Sequence, residues 1–309
     1  MQVLADFPWE NGKEWVDELR RQGAAHRIHV WPDVPHPDRI DAAVVWTPAE
    51  NFFEGLSALR ALIVPGAGVD QLFRSRADLP DVPIVRLTDP VMATRMAEYV
   101  LAMVLGHHRQ LGCYRQQQAS TFWERHFHRD AADIRVGVLG MGVMGTAVAR
   151  HLHAIGYAVT GWSRSQRFLP DIETVAGEPA FLPLVAASDV LVCLLPLTGT
   201  TEGILCARTF DAMLEGSLLI NAARGRHLVV PDLLSSLDRG RPGAAVLDVF
   251  EDEPLPPESP LWRHPAVTVT PHIASLSNPV TGVRQIVRTL DRLEAGERLD
   301  HTVDRSAGY

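Results

Sequence analysis

Cysteine is scarce in this chain, and no other metal-binding pattern replaces it. The 309 residues include three cysteines, Cys113, Cys193 and Cys206, an odd number without the spacing of a zinc site. The histidines between positions 107 and 128 follow no HExxH pattern. We therefore expect reduced thiols in a cytoplasmic protein that holds no metal.

An excess of positive charge and a long apolar run are also missing. Lys and Arg number 29 against 37 Asp and Glu, a formal net charge of −8, so a basic face for nucleic acid is not expected. The densest helical apolar run, 99–105, is too short to cross a bilayer, and residues 1–6 are typical of a strand rather than a signal peptide. With 46% hydrophobic residues, the chain is typical of a globular protein, and its length predicts about two domains.

A glycine-rich turn lies between an apolar run, 134–139, and a helical stretch, 143–155. A second apolar run follows at 157–162. In dinucleotide-binding units of this kind the glycines permit a tight turn, close approach of the backbone to the pyrophosphate, and packing of helix on strand. The helix N-terminus then binds the phosphates. The predicted cofactor-binding residues of the turn are Gly140, Met141, Gly142, Val143, Met144 and Gly145.

The end of the second apolar run indicates which dinucleotide binds. An NAD-specific unit usually carries Asp or Glu about 20 residues after the first glycine, bonded to the ribose 2′-hydroxyl. Here the neutral Trp162 and Ser163 occupy that place, and Arg164 follows with Arg167 nearby. A guanidinium beside a hydroxyl binds a 2′-phosphate, which a carboxylate would repel. The sequence therefore predicts NADP(H), with NAD(H) bound more weakly.

Short β-rich runs recur on both sides of the glycine-rich turn. Those before it are 3–5, 27–30, 42–46, 62–65 and 84–87. Those after it are 158–162, 190–195, 218–221, 244–249 and 267–270. Two such series predict an α/β protein with two doubly wound parallel-sheet domains, one Rossmann-type and one flavodoxin-like, and a cleft between them.

Two helical stretches outside these series set the expected domain boundaries. The stretch 94–110 is the natural crossover between the domains, and 279–294 has no strand of its own, so we expect it to pack on the first domain. The predicted substrate domain is discontinuous, comprising residues 1–98 and 276–309. The predicted dinucleotide-binding domain comprises residues 99–275.

Charged side chains stand just past three strands of the second series, which is the ligand-binding edge of an open α/β sheet. They are Arg224, a carboxylate among Glu251, Asp252 and Glu253, and His272. Reduction of a keto acid needs a cation for the substrate carboxylate, an imidazolium that protonates the carbonyl oxygen, and a carboxylate that holds this imidazole. These residue types therefore favour hydride transfer to a 2-keto acid.

Several segments together resemble the D-2-hydroxyacid dehydrogenases, and over nearly its whole length the chain resembles the glyoxylate/hydroxypyruvate reductase A branch. These segments are 140–145, 161–165, 221–225, 247–256, 259–265 and 270–274. The resemblance implies that Arg224 binds substrate, that Glu253, directly before Pro-Leu-Pro, is the carboxylate partner, and that His272 is the acid/base. It implies NADPH-dependent reduction of glyoxylate to glycolate and of hydroxypyruvate to D-glycerate.

The resemblance also implies further cofactor contacts in the second domain. Leu195 and Pro196 belong to a loop that flanks the cofactor, Ala222 lies in the segment before Arg224, and Asp248 resembles the residue near the nicotinamide carboxamide. Leu194 departs from the family, which commonly has His or Asn at this place.

A second glycine-rich turn, 66–68, follows a strand of the first domain. Such a turn presents consecutive backbone N–H groups, which suit a carboxylate. The resemblance assigns the substrate carboxylate to Ala67 and Gly68. Trp46 ends the preceding strand, where it either limits the site to small acids or is an ordinary core tryptophan.

The stretch 94–130 is partly helical, carries aromatic residues and belongs to neither sheet. The resemblance implies a twofold homodimer through this part of the nucleotide-binding domain, with Trp123 a candidate to reach the partner's site.

Two other functions fit parts of the pattern. One is an NAD-linked D-2-hydroxyacid dehydrogenase of larger substrates, which the missing carboxylate near Trp162 disfavours. The other is a non-catalytic dinucleotide-sensing protein, which would not need to keep Arg224, Glu253 and His272 together.

Overall fold

The computed structural model describes residues 1–75 and 79–305, which form two compact units. One unit comprises Met1–Met92 and the chain from Ser277 onward, and the other comprises Ala93–Leu276. Residues 76–78 and 306–309 of the expected substrate domain lie outside the described residues.

Strands and helices alternate along most of the chain. The strands are β1 (Gln2–Asp6), β2 (Arg27–Val30), β3 (Ala42–Val45), β4 (Ala61–Val64), β5 (Ile84–Arg86), β6 (Arg135–Leu139), β7 (Ala158–Ser163), β8 (Glu173–Ala176), β9 (Val190–Cys193), β10 (Leu218–Asn221), β11 (Ala244–Leu247) and β12 (Val267–Val269). The helices are α1 (Gly12–Gln22), α2 (Asp70–Ser75), α3 (Pro90–His108), α4 (Leu111–Ala119), α5 (Val143–Ile155), α6 (Phe181–Ala187), α7 (Ala207–Ala212), α8 (Val230–Leu237) and α9 (Pro279–Glu294).

The first unit contains a five-stranded parallel sheet with the order β2-β1-β3-β4-β5, which is the flavodoxin-like order. Strands β3 and β4 are buried along their whole length and consist of Ala, Val, Leu and Ile without polar alternation. This composition is typical of a parallel strand covered on both faces.

Helix α9 packs against α1 of the first unit. Val283, Ile286 and Leu290 of α9 join the same buried cluster as Trp15 of α1. At Gly282 an added Cβ would lie 2.6 Å from the Trp15 indole, so only glycine permits this close approach. The C-terminal helical stretch therefore has its apolar face covered within this unit, as its lack of a strand of its own predicts.

The second unit contains a seven-stranded parallel sheet with the order β12-β11-β10-β9-β6-β7-β8. This is the Rossmann order, with the switch point between β6 and β9. The predicted fold class of two doubly wound parallel sheets is therefore confirmed. Strand β8 is absent from the sequence prediction because it is an edge strand of mixed composition, Glu-Thr-Val-Ala, with no apolar run.

Helix α3 begins four residues earlier than the predicted stretch 94–110. Its start at Pro90 is stabilised by the preceding Asp89, whose Oδ1 accepts a hydrogen bond from the Val91 N–H at 2.9 Å. The helix ends before Gln110, whose φ of 53° interrupts the helical conformation. None of the helices in the described part of the chain combines the length and apolar character that a membrane crossing requires.

Candidate active site

The turn between β6 and α5 has the close contacts that its first and third glycines predict. Gly140 has a φ of +100°, and an added Cβ would lie 2.6 Å from the Leu194 carbonyl oxygen. An added Cβ at Gly145 would lie 1.8 Å from the carbonyl oxygen of Gly140. Both positions therefore require glycine so that the turn, the helix and the adjoining loop can pack together.

The second glycine of the turn faces open space. Gly142 is the N-cap of α5, and no heavy atom lies within 4 Å of the position that its Cβ would occupy. The first N–H groups of a helix have no partner within the helix and attract anions. The turn therefore fits a pyrophosphate. Of the other residues predicted here, Met141 is buried, Met144 is half-buried and Val143 is exposed.

At the end of β7, the residues predicted to select the cofactor differ in their exposure. Trp162 is buried, and its indole Nε1 donates a hydrogen bond to the Gly177 carbonyl oxygen at 2.8 Å. The Ser163 hydroxyl donates to the Ser165 carbonyl oxygen at 2.8 Å, and Arg164 is exposed. A cofactor contact of Trp162 would therefore involve its backbone, because its indole belongs to the core.

The loop after β9 lies beside the glycine-rich turn at the switch point. Leu195 is buried, and the Pro196 carbonyl oxygen accepts a hydrogen bond from the Thr201 hydroxyl at 2.7 Å. Ala222, at the end of the neighbouring strand β10, is buried and donates its N–H to the Cys193 carbonyl oxygen at 3.3 Å. The fold thus brings these predicted cofactor residues to the same sheet edge.

Arg224 is held in a turn after β10 by the buried Asn221. The Asn221 side chain accepts from the Ala223 N–H at 3.2 Å and donates to the Arg224 carbonyl oxygen at 3.0 Å. At Gly225 an added Cβ would lie 1.9 Å from the Phe250 carbonyl carbon, so this turn packs directly on the backbone that leads to Glu253.

The His272 imidazole and the Glu253 carboxylate form a hydrogen bond. The distance from His272 Nδ1 to Glu253 Oε2 is 2.7 Å, and Glu253 Oε1 accepts from the Phe250 N–H at 2.9 Å. Glu251 instead lies 3.7 Å from the Arg226 guanidinium. Glu253 is thus the carboxylate that contacts the histidine, rather than Glu251 or Asp252.

The surroundings of Glu253 keep its carboxylate charged. Burial raises its pKa, but the hydrogen bonds from His272 and from the Phe250 N–H, with the positive charges of His272 and Arg224, outweigh burial and lower the pKa overall. Glu253 is therefore an anion at neutral pH, able to orient the imidazole and to stabilise its protonated form.

A buried carboxylate holds the loop that carries His272. Asp248 is 1% exposed, and its Oδ1 accepts from the Thr270 hydroxyl at 2.6 Å and from the Ile273 N–H at 2.9 Å. Its Oδ2 accepts from the Ala274 N–H at 2.8 Å. These bonds span His272, whose φ of 54° is uncommon for a residue with a side chain. Asp248 thus stabilises the loop that carries His272.

Helix α3 contributes a residue to this network that the motifs do not identify. The Tyr99 hydroxyl lies 2.7 Å from Thr270 Oγ1. Burial raises the pKa of Tyr99 to about 12, so its phenol keeps its proton and donates to Thr270, which in turn donates to Asp248. The sequence signal that could have identified Tyr99 is the position of its polar hydroxyl on the apolar face of the predicted helix.

The residues predicted to contact substrate in the first unit lie around one tryptophan. The Trp46 indole is half-buried and packs against Gly66, where an added Cβ would be 2.1 Å from Cζ3. The Trp9 ring lies with its edge toward Trp46, at 6.2 Å between centroids. Ala67 and Gly68 follow in the same turn and are half-buried.

The histidines before the glycine-rich turn make local contacts. His108 lies 2.8 Å from the Tyr157 hydroxyl and 2.7 Å from the Arg129 carbonyl oxygen. Across residues 1–75 and 79–305, no three His, Cys, Asp or Glu side chains come together in a group that could hold a metal ion.

A Rossmann sheet whose ligand-binding edge carries a paired histidine and carboxylate defines a dinucleotide-dependent oxidoreductase. Residues 101–274 match the family model for the NAD-binding domain of D-isomer-specific 2-hydroxyacid dehydrogenases. The chain therefore belongs to the D-isomer-specific 2-hydroxyacid dehydrogenase family.

Solved structures similar to the whole chain come from the same family. One is a D-isomer-specific 2-hydroxyacid dehydrogenase from Xanthobacter autotrophicus Py2 in complex with NADPH and MES (38% identity, TM-score 0.94, covering 99% of each chain). Another is the NADPH-dependent glyoxylate/hydroxypyruvate reductase from Sinorhizobium meliloti in complex with NADP and sulfate (38% identity, TM-score 0.93, covering 100% of this chain and 99% of that one). A third is a probable 2-hydroxyacid dehydrogenase from Rhizobium etli CFN 42 in complex with NADP, HEPES and L(+)-tartaric acid (33% identity, TM-score 0.91, covering 100% and 99%).

Proposed function

We propose that this protein is an NADPH-dependent reductase of small 2-keto acids that converts glyoxylate to glycolate and hydroxypyruvate to D-glycerate. The observation that carries the proposal is the 2.7 Å pair of His272 and Glu253 in the unit that also holds Arg224. The similarity to the Sinorhizobium meliloti reductase supports the choice of substrates.

His272 is the proton donor in this proposal. Its Nδ1–H donates to Glu253, so Nε2 is the ring nitrogen that gives a proton to the carbonyl oxygen of the keto acid. Glu253, an anion at neutral pH, holds the imidazole through this bond. The Asp248 network fixes the loop, which keeps the imidazole oriented while the proton moves.

Arg224 binds the substrate carboxylate in this proposal, because a guanidinium forms two parallel hydrogen bonds with a carboxylate. The backbone N–H groups of Ala67 and Gly68 are the second proposed carboxylate contact. The Trp46 indole would limit the substrate to acids with a small side chain.

NADP(H) is the proposed cofactor and, when bound, supplies the hydride. The turn from Gly140 to Gly145 would hold its pyrophosphate, and Ser163 with Arg164 its 2′-phosphate. NAD(H), which lacks this phosphate, would bind more weakly. The three free cysteines accord with the cytoplasmic location that we propose.

The direct test is the initial rate of NADPH oxidation with glyoxylate, hydroxypyruvate, pyruvate and a phenyl-substituted keto acid. We expect the highest kcat/KM with the first two. A preference for the phenyl compound with NADH would support an NAD-linked dehydrogenase of larger substrates. NADPH binding without turnover of any keto acid would support a dinucleotide sensor.

We also propose a homodimer through the nucleotide-binding domain. Phe122, Trp123 and Phe127 follow α4 and are exposed, Trp123 by 87% and Phe127 by 101%. Aromatic residues this exposed are typical of an interaction surface. Light scattering at micromolar concentration should give a mass twice that of the chain. The double variant Trp123→Ala with Phe127→Ala should have a lower mass. A monomeric wild type would contradict this proposal.

A further inference from the structure

His227 is a fully buried histidine beside the candidate active site, and the proposed chemistry does not use it. Its exposure is 0%, and it lies at the end of the short 3-10 turn Gly225–His227 that follows Arg224. Polar groups buried this deeply are hydrogen-bonded in folded proteins, so each ring nitrogen is expected to have a specific partner. Its partners therefore define its role.

Each ring nitrogen of His227 contacts a different loop of the ligand-binding edge. Nδ1 accepts a hydrogen bond from the Arg224 N–H at 3.2 Å. Nε2 lies 3.3 Å from the Pro196 carbonyl oxygen. One imidazole thus links the turn of the proposed substrate-binding arginine to the loop that flanks the cofactor.

The hydrogen-bond network selects one tautomer of His227. Nδ1 also lies 3.2 Å from the Arg224 carbonyl oxygen, but that oxygen already accepts from the Asn221 side chain at 3.0 Å and from the His227 N–H at 3.2 Å. Because a backbone N–H can only donate, the hydrogen bond from the Arg224 N–H requires Nδ1 to be the unprotonated acceptor. Nε2 then carries the proton and donates to Pro196.

The neighbouring residues of the same turn reinforce this junction. Arg226 forms ion pairs with Glu202, after β9, and with Glu251, after β11. Gly225 packs against the backbone of Phe250, which in turn bonds Glu253. This turn, which follows β10, therefore contacts both the loop after β9 and the loop after β11.

We infer that His227 is a positioning residue that couples the Arg224 turn to the Pro196 loop, through an acceptor at Nδ1 and a donor at Nε2. Substrate anchoring and cofactor binding thereby depend on one side chain that touches neither ligand. The inference rests on the proposed function only for its substrate half, because NADPH binding reports the other half independently.

Two substitutions separate the two bonds. In His227→Asn the amide oxygen can replace Nδ1 as the acceptor for Arg224, but the side chain is too short to reach Pro196. In His227→Gln the amide nitrogen can replace Nε2 as the donor to Pro196, but the acceptor near Arg224 is lost.

The measurements are the NADPH Kd from fluorescence titration, the KM for glyoxylate and the melting temperature of each variant. We expect His227→Asn to raise the NADPH Kd about two- to tenfold, the effect of losing one hydrogen bond, with little change in the glyoxylate KM. We expect His227→Gln to raise the glyoxylate KM by a similar factor and to spare the NADPH Kd. His26→Asn is the matched control, because His26 is also buried but bonds Asp291 in the other unit, and it should change neither constant.

A merely structural histidine would give a different pattern. If both variants lower the melting temperature but change the Kd and KM together or not at all, the inference is overturned. A wild-type protein that reduces no keto acid would refute the proposed function instead, and the NADPH Kd of His227→Asn against the control would still decide the inference.

Discussion

Replacing Asp248 by asparagine should destabilise the protein and slow the reaction together. In the wild type, Oδ2 of Asp248 accepts a hydrogen bond from the Ala274 N–H at 2.8 Å. An asparagine side chain has only one acceptor oxygen, so even in its best orientation its NH2 group faces this Ala274 N–H. The variant therefore loses at least one charge-assisted hydrogen bond and leaves a buried N–H without a partner. We expect a loss of about 2–3 kcal/mol in the free energy of unfolding.

For a unit of the size of Ala93–Leu276, this loss converts to a fall of about 4–12 °C in the melting temperature by scanning calorimetry. Since the same bonds span His272, whose φ is 54°, kcat should fall by about tenfold or more. Asp232→Asn is the control, because Asp232 accepts a single bond, from the Ala207 N–H, away from this loop. Wild-type kcat and melting temperature in Asp248→Asn would refute the role of the network.

The glycine-rich turn, Glu253 and the end of β7 can each be tested with a variant. Gly145→Ala should lower the melting temperature, because the added Cβ would lie 1.8 Å from a backbone atom. Gly142→Ala is the matched control for stability, because no heavy atom lies within 4 Å of its added Cβ. This second variant should keep the wild-type melting temperature but weaken NADPH binding in titrations. Glu253→Gln should destabilise the protein in denaturant titrations above pH 4.5, because the hydrogen bonds that lower the pKa of Glu253 stabilise the wild-type carboxylate. This difference from the wild type should vanish as the pH falls through the lowered pKa of Glu253. Ser163→Asp with Arg164→Ala should raise the NADPH KM about ten- to a hundredfold and leave the NADH KM little changed, and an unaltered preference would place the 2′-phosphate elsewhere.

Local patterns were sufficient to predict much of the second unit. The helix after the glycine-rich turn has the bounds 143–155 in the sequence and in the structure, because a glycine N-cap and a left-handed Gly156 define its ends. The strand ends predicted the edge at which His272 and Glu253 meet, since parallel strands align their carboxyl ends.

Other features depend on tertiary contacts that no local pattern encodes. The inward direction of the Trp162 indole follows from its packing on Phe181 and its bond to Gly177. The Tyr99–Thr270–Asp248 network joins residues of α3 with two strand ends that are far apart in sequence. Such long-range hydrogen bonds become visible only when the fold is known.

If His272 donates the proton, the variant His272→Ala should lose turnover but keep its affinity for NADPH. The measurement is kcat for NADPH-dependent glyoxylate reduction, with the NADPH Kd determined on the same preparation. We expect kcat to fall by about two to four orders of magnitude, the range for a positioned proton donor, while the Kd stays unchanged. Turnover close to that of the wild type would show that His272 is not the proton donor.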